Sequence, residues 1–514
     1  MRPSLPGLLL AAVLCNSALA ADKVNLALDA AKPGPVISRH VFGQFAEHLG
    51  NGIYEGVWVG PDSPIPNTRG IRKDVVAALK ALKVPNVRWP GGCFADEYHW
   101  RNGVGKRRAG MNASWGGVIE PNTFGTHEFM DFVEQIGADA YISANIGSGT
   151  RQEAAEWLEY MTAKDTALAA ERAANGHPAP WKVPFWGLGN EAWGCGGSMT
   201  AEQYVGEMKM YSRASRSYNN QPPMVQIAVG PDGGATEYTE AVMKAWSTKV
   251  WSWDIQGLSL HSYTTNGWPP SLKATGFGEA EYARFIKETL GMEGLVSKHS
   301  AIMDKYDPAK KIALVVDEWG AWLKQDEGTR EGSLRQQNSQ RDAIVAALNL
   351  NIFARHADRV RMANVAQMVN VLQSMILTDK EKMVLTPTYH VFRMYVPFQD
   401  ATLVPVAFDA GSYSFGDTSM PRADVIAAKD KDGKLWLALT NIDPKRAIEF
   451  DLALTGLKAS SASGQTLVAP KIDSINTFAA PDTVSPKAVS AKSANGKLAL
   501  SLAPQSVTVI SLNP

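Results

Sequence analysis

Cysteine is scarce in this sequence, with three in 514 residues. That excludes a fold stapled by many disulfides. Cys15 falls in the N-terminal segment considered below, which leaves Cys93 and Cys195. Both sit in glycine-rich stretches, "PGGCFADEYHW" and "WGCGGSM". On the residues alone, a disulfide between them and separate local roles both stay open. Net charge is also missing: Lys+Arg and Asp+Glu each count 51. A balanced chain lacks the basic face that nucleic acid or an acidic membrane surface selects. No apolar run is long enough to span a bilayer. No Gly-x-Gly-x-x-Gly opens a helix after the first predicted strand, which argues against a dinucleotide-binding open sheet.

The length predicts two or more domains. Hydrophobic residues make up 45% and charged residues 20%, as in an ordinary globular protein with a large core. The first twenty residues, "MRPSLPGLLLAAVLCNSALA", have one early Arg, a short apolar stretch and Ala18-Leu19-Ala20. That plan predicts a secretory signal peptide over residues 1–20, cleaved after Ala20, and a secreted or periplasmic mature protein with no membrane contact.

From about residue 38 to 398 the chain alternates short β-type runs with helical patterns. The runs are "VFGQFAEH", "NVRWPGG", "DAYISANIG", "VPFWGLGNE", "VQIAVGP", "GLSLHSY", "IALVVDE" and "VRMANVAQMVN". Between them come stretches such as "IRKDVVAALKALK" and "RDAIVAALNLNIFARHA", apolar at three- and four-residue spacing. Eight strand–helix units in series predict a (β/α)8 TIM barrel. After residue 398, "LWLALTNI", "KLALSLA" and "SVTVISL" alternate apolar and polar residues, and "DKDGK" and "ANGK" supply turns. This reads as an all-β sandwich, jelly-roll-like, over 399–514. The early segment "KVNLALDA" alternates too, so residues 21–37 are assigned to the same domain. Residues 455–495, rich in Ser, Ala and Pro, show no clear element pattern.

Barrel enzymes carry their chemistry at the C-terminal ends of the strands. Those ends present Glu47 and His48; Arg88 and Trp89; Asn145; Asn190 and Glu191; His261 and Tyr263; Asp317 and Glu318; then Asn370 and Gln373. A single strand-end glutamate more often caps a helix or solvates a surface. Two of them in tryptophan-flanked strand ends, Glu191 and Glu318, point instead to a pair across one mouth. Two opposed carboxyls among aromatic and amide side chains are the equipment of glycoside hydrolysis. Glu191, among glycines and tryptophans, suits the acid, and Glu318, with Arg88 and Tyr263 as donors, suits the nucleophile. His261 and Arg88 also suit plain structural roles. A metal site from Glu47, His48 and His261 fits by ligand type, but no HExxH-type spacing supports it.

The stretches "FGQFAEHLGNGIYEGVWVG", "VRWPGGCFADEYHWRNGVG", "WGLGNEAWGCGG", "LSLHSYT", "VVDEWGAW" and "NVLQSMILT" together resemble the glycoside hydrolase family 51 α-L-arabinofuranosidases. The resemblance runs from about residue 38 through "TPTYHVFRMY" and weakens over the last hundred residues. It implies a retaining, exo-acting enzyme that releases terminal L-arabinofuranose from arabinan or arabinoxylan. Glu191 would be the acid/base and Glu318 the nucleophile. Glu47, Cys93, Asn190, Tyr263 and Gln373 would hold the sugar ring, and Trp115 and Trp319, with Trp322, would lie near the leaving group. Cys93 as a sugar contact argues against its disulfide with Cys195. The resemblance also implies no cofactor, no metal, and a homo-oligomer, commonly a hexamer. Linkage preference would be shaped by the loops "TTNGWPPSLKATGFGE" and "GAWLKQDEGTREGSLRQQ". An endo-acting β-glucanase or xylanase of the same barrel type, releasing oligosaccharides, is the alternative. A non-catalytic carbohydrate-binding barrel is a second.

Overall fold

The structure is a computed structural model, and it describes residues 22–219, 222–456, 459–494 and 497–513. The predicted leader, residues 1–20, lies outside the described residues.

Eight parallel strands close into a barrel: β1 (Gly43–Phe45), β2 (Asn86–Trp89), β3 (Asp139–Ser143), β4 (Phe185–Leu188), β5 (Val225–Ala228), β6 (Gly257–Thr264), β7 (Ala313–Ala321) and β8 (Val360–Val365). Sequential strands are neighbours, and β8 returns to β1 through Asn364↔Gly43. The expected TIM barrel is borne out. Its lower interior is a plug of Tyr141, Ile227, Ala313, Val315 and Met362. The plug turns polar where the Tyr141 hydroxyl donates to Asp317 Oδ2 at 2.7 Å. Above that level charged side chains gather, with Arg88 lying over the ring of Phe45.

Helices wrap the outside with their apolar stripes inward. The helix Ala201–Ala214, which follows the loop carrying Glu191, starts with a capping box in which Thr200 Oγ1 accepts from Gln203 N and Gln203 Oε1 accepts from Thr200 N. Such a box satisfies two otherwise orphaned donors and fixes where the loop ends.

The helix Gln340–Arg355 has only Arg355 away from full burial. A helix covered all round must lie between two layers. It contacts barrel strand β7 on one side and the strands Ala423–Lys429, Leu435–Asn441 and Ser506–Asn513 on the other. Asn351 Nδ2 and Arg355 Nη1 both donate to the Asp424 carboxylate, at 2.9 and 2.8 Å.

The β-rich part is a ribbon of ten strands folded so that its halves share one apolar layer, with Val24, Leu26, Leu28, Phe450 and Leu500 from one half and Leu437, Leu439 and Ile510 from the other. The expected all-β sandwich is borne out as architecture. Its N-terminal strand, Asp22–Asp29, runs parallel to Ile448–Thr455 and antiparallel to Val406–Phe408. The stretch without a clear pattern holds two strands, Ser461–Leu467 and Pro486–Ala494. Small residues hide them from a hydropathy reading. At Gly464 the neighbouring strand comes so close that a Cβ would stand 2.0 Å from the Val509 carbonyl oxygen.

Candidate active site

Successive residues on a strand point to opposite faces, yet Asp317 and Glu318 both face the barrel mouth. The register explains it. Ser259 pairs with Val315, whereas His261 pairs with Glu318, so two steps along β6 match three along β7. An irregularity of this kind re-aims a side chain, as bulges do beside active sites. Asp317 reaches down to Tyr141, and Glu318 turns into the open mouth.

A second local device serves Asn190 and Glu191. The turn after β4 has φ +102° at Gly189 and φ +34° at Glu191. Left-handed backbone at a residue with a Cβ costs about 1–2 kcal/mol. The turn places two consecutive side chains on the mouth. Asn190 Oδ1 accepts from Arg88 Nη2 at 2.7 Å, and Glu191 Oε1 lies 2.8 Å from His261 Nδ1.

Glu318 is held at both oxygens. Arg88 Nη1 donates to Oε1 at 2.7 Å, and the Tyr263 hydroxyl donates to Oε2 at 2.7 Å. Arg88 is buried, lies over the Phe45 ring at 4.6 Å, and places Nε 3.4 Å from Asp317 Oδ2. A guanidinium is always charged, so Glu318 has a permanent cation against it. Burial alone would raise the Asp317 pKa, but Arg88 and His261 outweigh it and hold that carboxyl below its ordinary value.

His261 sits between the two glutamates. Its Nδ1 is 2.8 Å from Glu191 and 3.6 Å from Glu318 Oε1, and its Nε2 is 3.2 Å from Asp317 Oδ1. Burial would lower its pKa, yet the carboxylates around it dominate and raise it to about 10. A protonated ring donates to the carboxylates on either side of it. Burial raises the Glu191 pKa, the His261 bond opposes that rise, and the charge of Glu318 adds to it. One oxygen of Glu191, one of Glu318 and one His261 nitrogen lie within 4.8 Å of one another.

Glu47 forms the floor on the β1 side. Its Oε1 accepts from Gly92 N, Phe94 N and Trp115 Nε1, and its Oε2 accepts from Gln367 Nε2 at 2.9 Å. Burial, then the nearby Glu318, push its pKa to about 7 against those donors. Glycine at position 92 leaves room for that carboxylate: a Cβ there would stand 2.8 Å from Glu318 Oε1.

Of the residues singled out in the sequence, Glu47, Arg88, Asn190, Glu191, His261, Tyr263 and Glu318 share this mouth, and Trp115 reaches it from the hairpin 110–120. Three others need correction. Cys93 forms a disulfide with Cys195, Cα–Cα 5.5 Å, so it carries no free thiol. The turn after β2 and the loop after β4 meet above the barrel, a closeness that a sequence separation of 102 conceals. Trp319 is fully buried against Phe353 and Phe392, behind the barrel wall. Gln373 is also buried and turned away: its Oε1 accepts from Ala321 N, and its Nε2 donates to the Asp342 carbonyl and Thr388 Oγ1. The glutamine on the pocket is Gln367, six positions earlier in the same irregular run, and no periodicity distinguishes the two. His48 lies under the floor, with Nδ1 3.1 Å from Glu120 and Nε2 accepting from Trp89, away from His261.

An eight-stranded barrel with two glutamates this close at the mouth, one held by a cation and one buried beside it, is a glycoside hydrolase. Residues 78–243 match the model of the α-L-arabinofuranosidase 1 domain, and residues 317–506 match that of the α-L-arabinofuranosidase C-terminal domain. An intracellular exo-α-L-arabinofuranosidase of Bacteroides ovatus is 45% identical over 483 residues, 93% of this chain and 92% of that protein. The chain belongs to the glycoside hydrolase family 51 α-L-arabinofuranosidases. Among solved structures, a family 51 arabinofuranosidase of Xanthomonas axonopodis pv. citri superimposes with TM-score 0.93 at 52% identity, covering 96% of this chain and all of that one. An α-L-arabinofuranosidase of Thermotoga maritima, solved with arabinose, gives 0.83 at 31% identity over 95% of this chain and 99% of that one. The expected secreted or periplasmic location is corrected here, because the Bacteroides relative is an intracellular enzyme. A short apolar run near an Ala-Leu-Ala is a weak signal beside likeness over 93% of the chain.

Proposed function

We propose that this chain is a retaining, exo-acting α-L-arabinofuranosidase that releases terminal L-arabinofuranose from arabinose-bearing oligo- and polysaccharides. The observation that carries the reading is the approach of Glu191 and Glu318 oxygens to within 4.8 Å. Retaining glycosidases hold their carboxyls about 5–5.5 Å apart, whereas inverting ones leave about 6.5–9.5 Å for a water. Glu318, held at its two oxygens by Arg88 and Tyr263, attacks the anomeric carbon. Glu191, its pKa raised, protonates the departing oxygen. A glycosyl–enzyme ester on Glu318 results. Glu191, now a base, takes a proton from water, which attacks the same carbon and frees arabinose with its configuration kept. His261 holds Glu191 in place through both steps, and its charge steadies the carboxylate formed after the first. Glu47, Asn190, Tyr263 and Gln367 hold the ring hydroxyls, and Trp115 lies near the leaving group. The barrel domain then comprises residues 38–398, and residues 21–37 with 399–514 form the β-domain, in which the N-terminal strand pairs with Ile448–Thr455.

The test is hydrolysis of an aryl α-L-arabinofuranoside followed by NMR of the sugar first released. The α-anomer is the expected product. First release of the β-anomer would sink the retaining mechanism, and oligosaccharides as the first products from arabinan would sink the exo mode.

A further inference from the structure

A line of aromatic rings leads outward from Glu318. The Tyr263 hydroxyl bonds Glu318 Oε2 at 2.7 Å. The Tyr263 ring meets Trp322 at 5.0 Å and 80°, and Trp322 meets Trp268 at 5.0 Å and 82°. Tyr263 and Trp322 are half-buried, and both pack on the small apolar cluster of Phe45, Leu49 and Leu372 that also supports Trp115. Trp268 is 72% exposed. It stands on the loop after β6, at the end of the barrel that bears the active site.

Core packing gives no reason for an indole here. Its ring leaves most of its surface in water, at a cost of about 25 cal/mol per Å² of apolar area, and a single edge contact with Trp322 cannot cover both faces. Trp251, 92% exposed, makes a useful contrast. It follows the helix Thr236–Ser247 at the opposite end of the barrel, and among the described residues no aromatic ring packs against it. Trp268 alone continues a row that begins at the nucleophile.

We infer that Trp268 is an outer acceptor subsite, a platform for the apolar face of the second sugar of the chain that carries the arabinofuranose. The first acceptor sugar, bonded through the departing oxygen, rests by Trp322, and the next one stacks on Trp268. This inference rests on the function proposed above. Its ligand class is a pentose chain, and two sources share that chemistry: a linear arabinan and a substituted xylan.

The experiment compares Trp268→Ala and Trp268→Phe with the parent enzyme on acceptors of increasing length. An aryl α-L-arabinofuranoside and arabinobiose end at Trp322. Arabinotriose and an arabinosylated xylotriose reach Trp268, one for each source. For Trp268→Ala, kcat/KM with the two short substrates stays within about twofold, and with the long ones it falls about tenfold, chiefly through KM. Such a drop matches the worth of one good ring stack. Trp268→Phe recovers most of the loss. A loss confined to one long substrate supports the subsite and identifies its chain. An equal loss on all four substrates, or none on the long ones, overturns the inference. A parent enzyme that frees no arabinose from any of them overturns the proposed function instead.

Discussion

The strand Leu435–Asn441 and barrel strand β7 follow different rules. In the first, Leu435, Leu437 and Leu439 all enter the apolar layer of the β-domain, while Ala438 faces the barrel side. Strict alternation lets each face meet its own partner. In β7 the alternation holds through Val315 and Val316, then breaks, so that Asp317 and Glu318 face the mouth together. The β-domain buries what water rejects. The mouth buries what water would welcome, and must surround each charge with an opposite one: Arg88 and His261 among Asp317, Glu318 and Glu191. One region is organised for persistence and the other for reaction.

The strongest way to break this contrast is Glu318→Gln. Turnover falls by about 10⁴-fold or more, as when a nucleophile is removed, while the thermal midpoint moves only a few degrees because Arg88 keeps Asp317. Steady-state rates with a calorimetric scan check both. A large loss of stability with activity retained would make Glu318 a structural charge. Next is Glu191→Ala. Arabinose release from an oligosaccharide falls by about 10²–10⁴-fold. The first step with a dinitrophenyl arabinofuranoside, whose leaving group needs little protonation, stays near the parent rate and shows as a burst. Equal losses in the two cases would remove Glu191 from the acid role.

The mirror-image variant is Leu439→Ala. It costs about 2–5 kcal/mol of stability through the cavity it leaves, and kcat at moderate temperature is unchanged. Denaturant unfolding beside a rate measurement tests it. The smallest effect concerns Asp96, whose Oδ1 accepts from Ile146 N and Gly147 N. Burial pushes its pKa to about 8. A carboxyl with a raised folded pKa adds stability that is complete below its unfolded value, near 4, and is lost as pH climbs through 8. Asp96→Asn, neutral throughout, should therefore flatten the fall of the thermal midpoint between pH 5 and 8 by a few degrees. An unchanged slope would place the titration elsewhere.

Much of this contrast can be read in the residues. Strand–helix alternation gives the barrel, and the order of polar residues at strand ends gives Glu47, Arg88, Asn190, Glu191, Tyr263 and Glu318. Trp319 was legible too, and misassigned: with Glu318 facing the mouth, the next residue of a strand points to the helices. Other features are properties of space alone. The Cys93–Cys195 bond depends on two loops meeting. The choice of Gln367 over Gln373 depends on an irregular segment, and the clasp of His261 on a register shift that no hydropathy pattern records. The tryptophans near Glu191 also misled. Trp186 is buried, with Nε1 on Ser215 Oγ, and the raised pKa of Glu191 comes from burial beside Glu318.

The parallel seat of Asp22–Asp29 beside Ile448–Thr455 has a consequence for the newborn chain. Ribosomes add about 5–20 residues per second, so the first strand emerges roughly 20–80 s before its neighbour exists. Throughout that wait, Val24, Leu26 and Leu28 have no layer to enter, and the apolar edge they form is open to chaperones or to a stray copy of the same strand. The last segments to leave the ribosome are the ones that close the molecule over its own beginning.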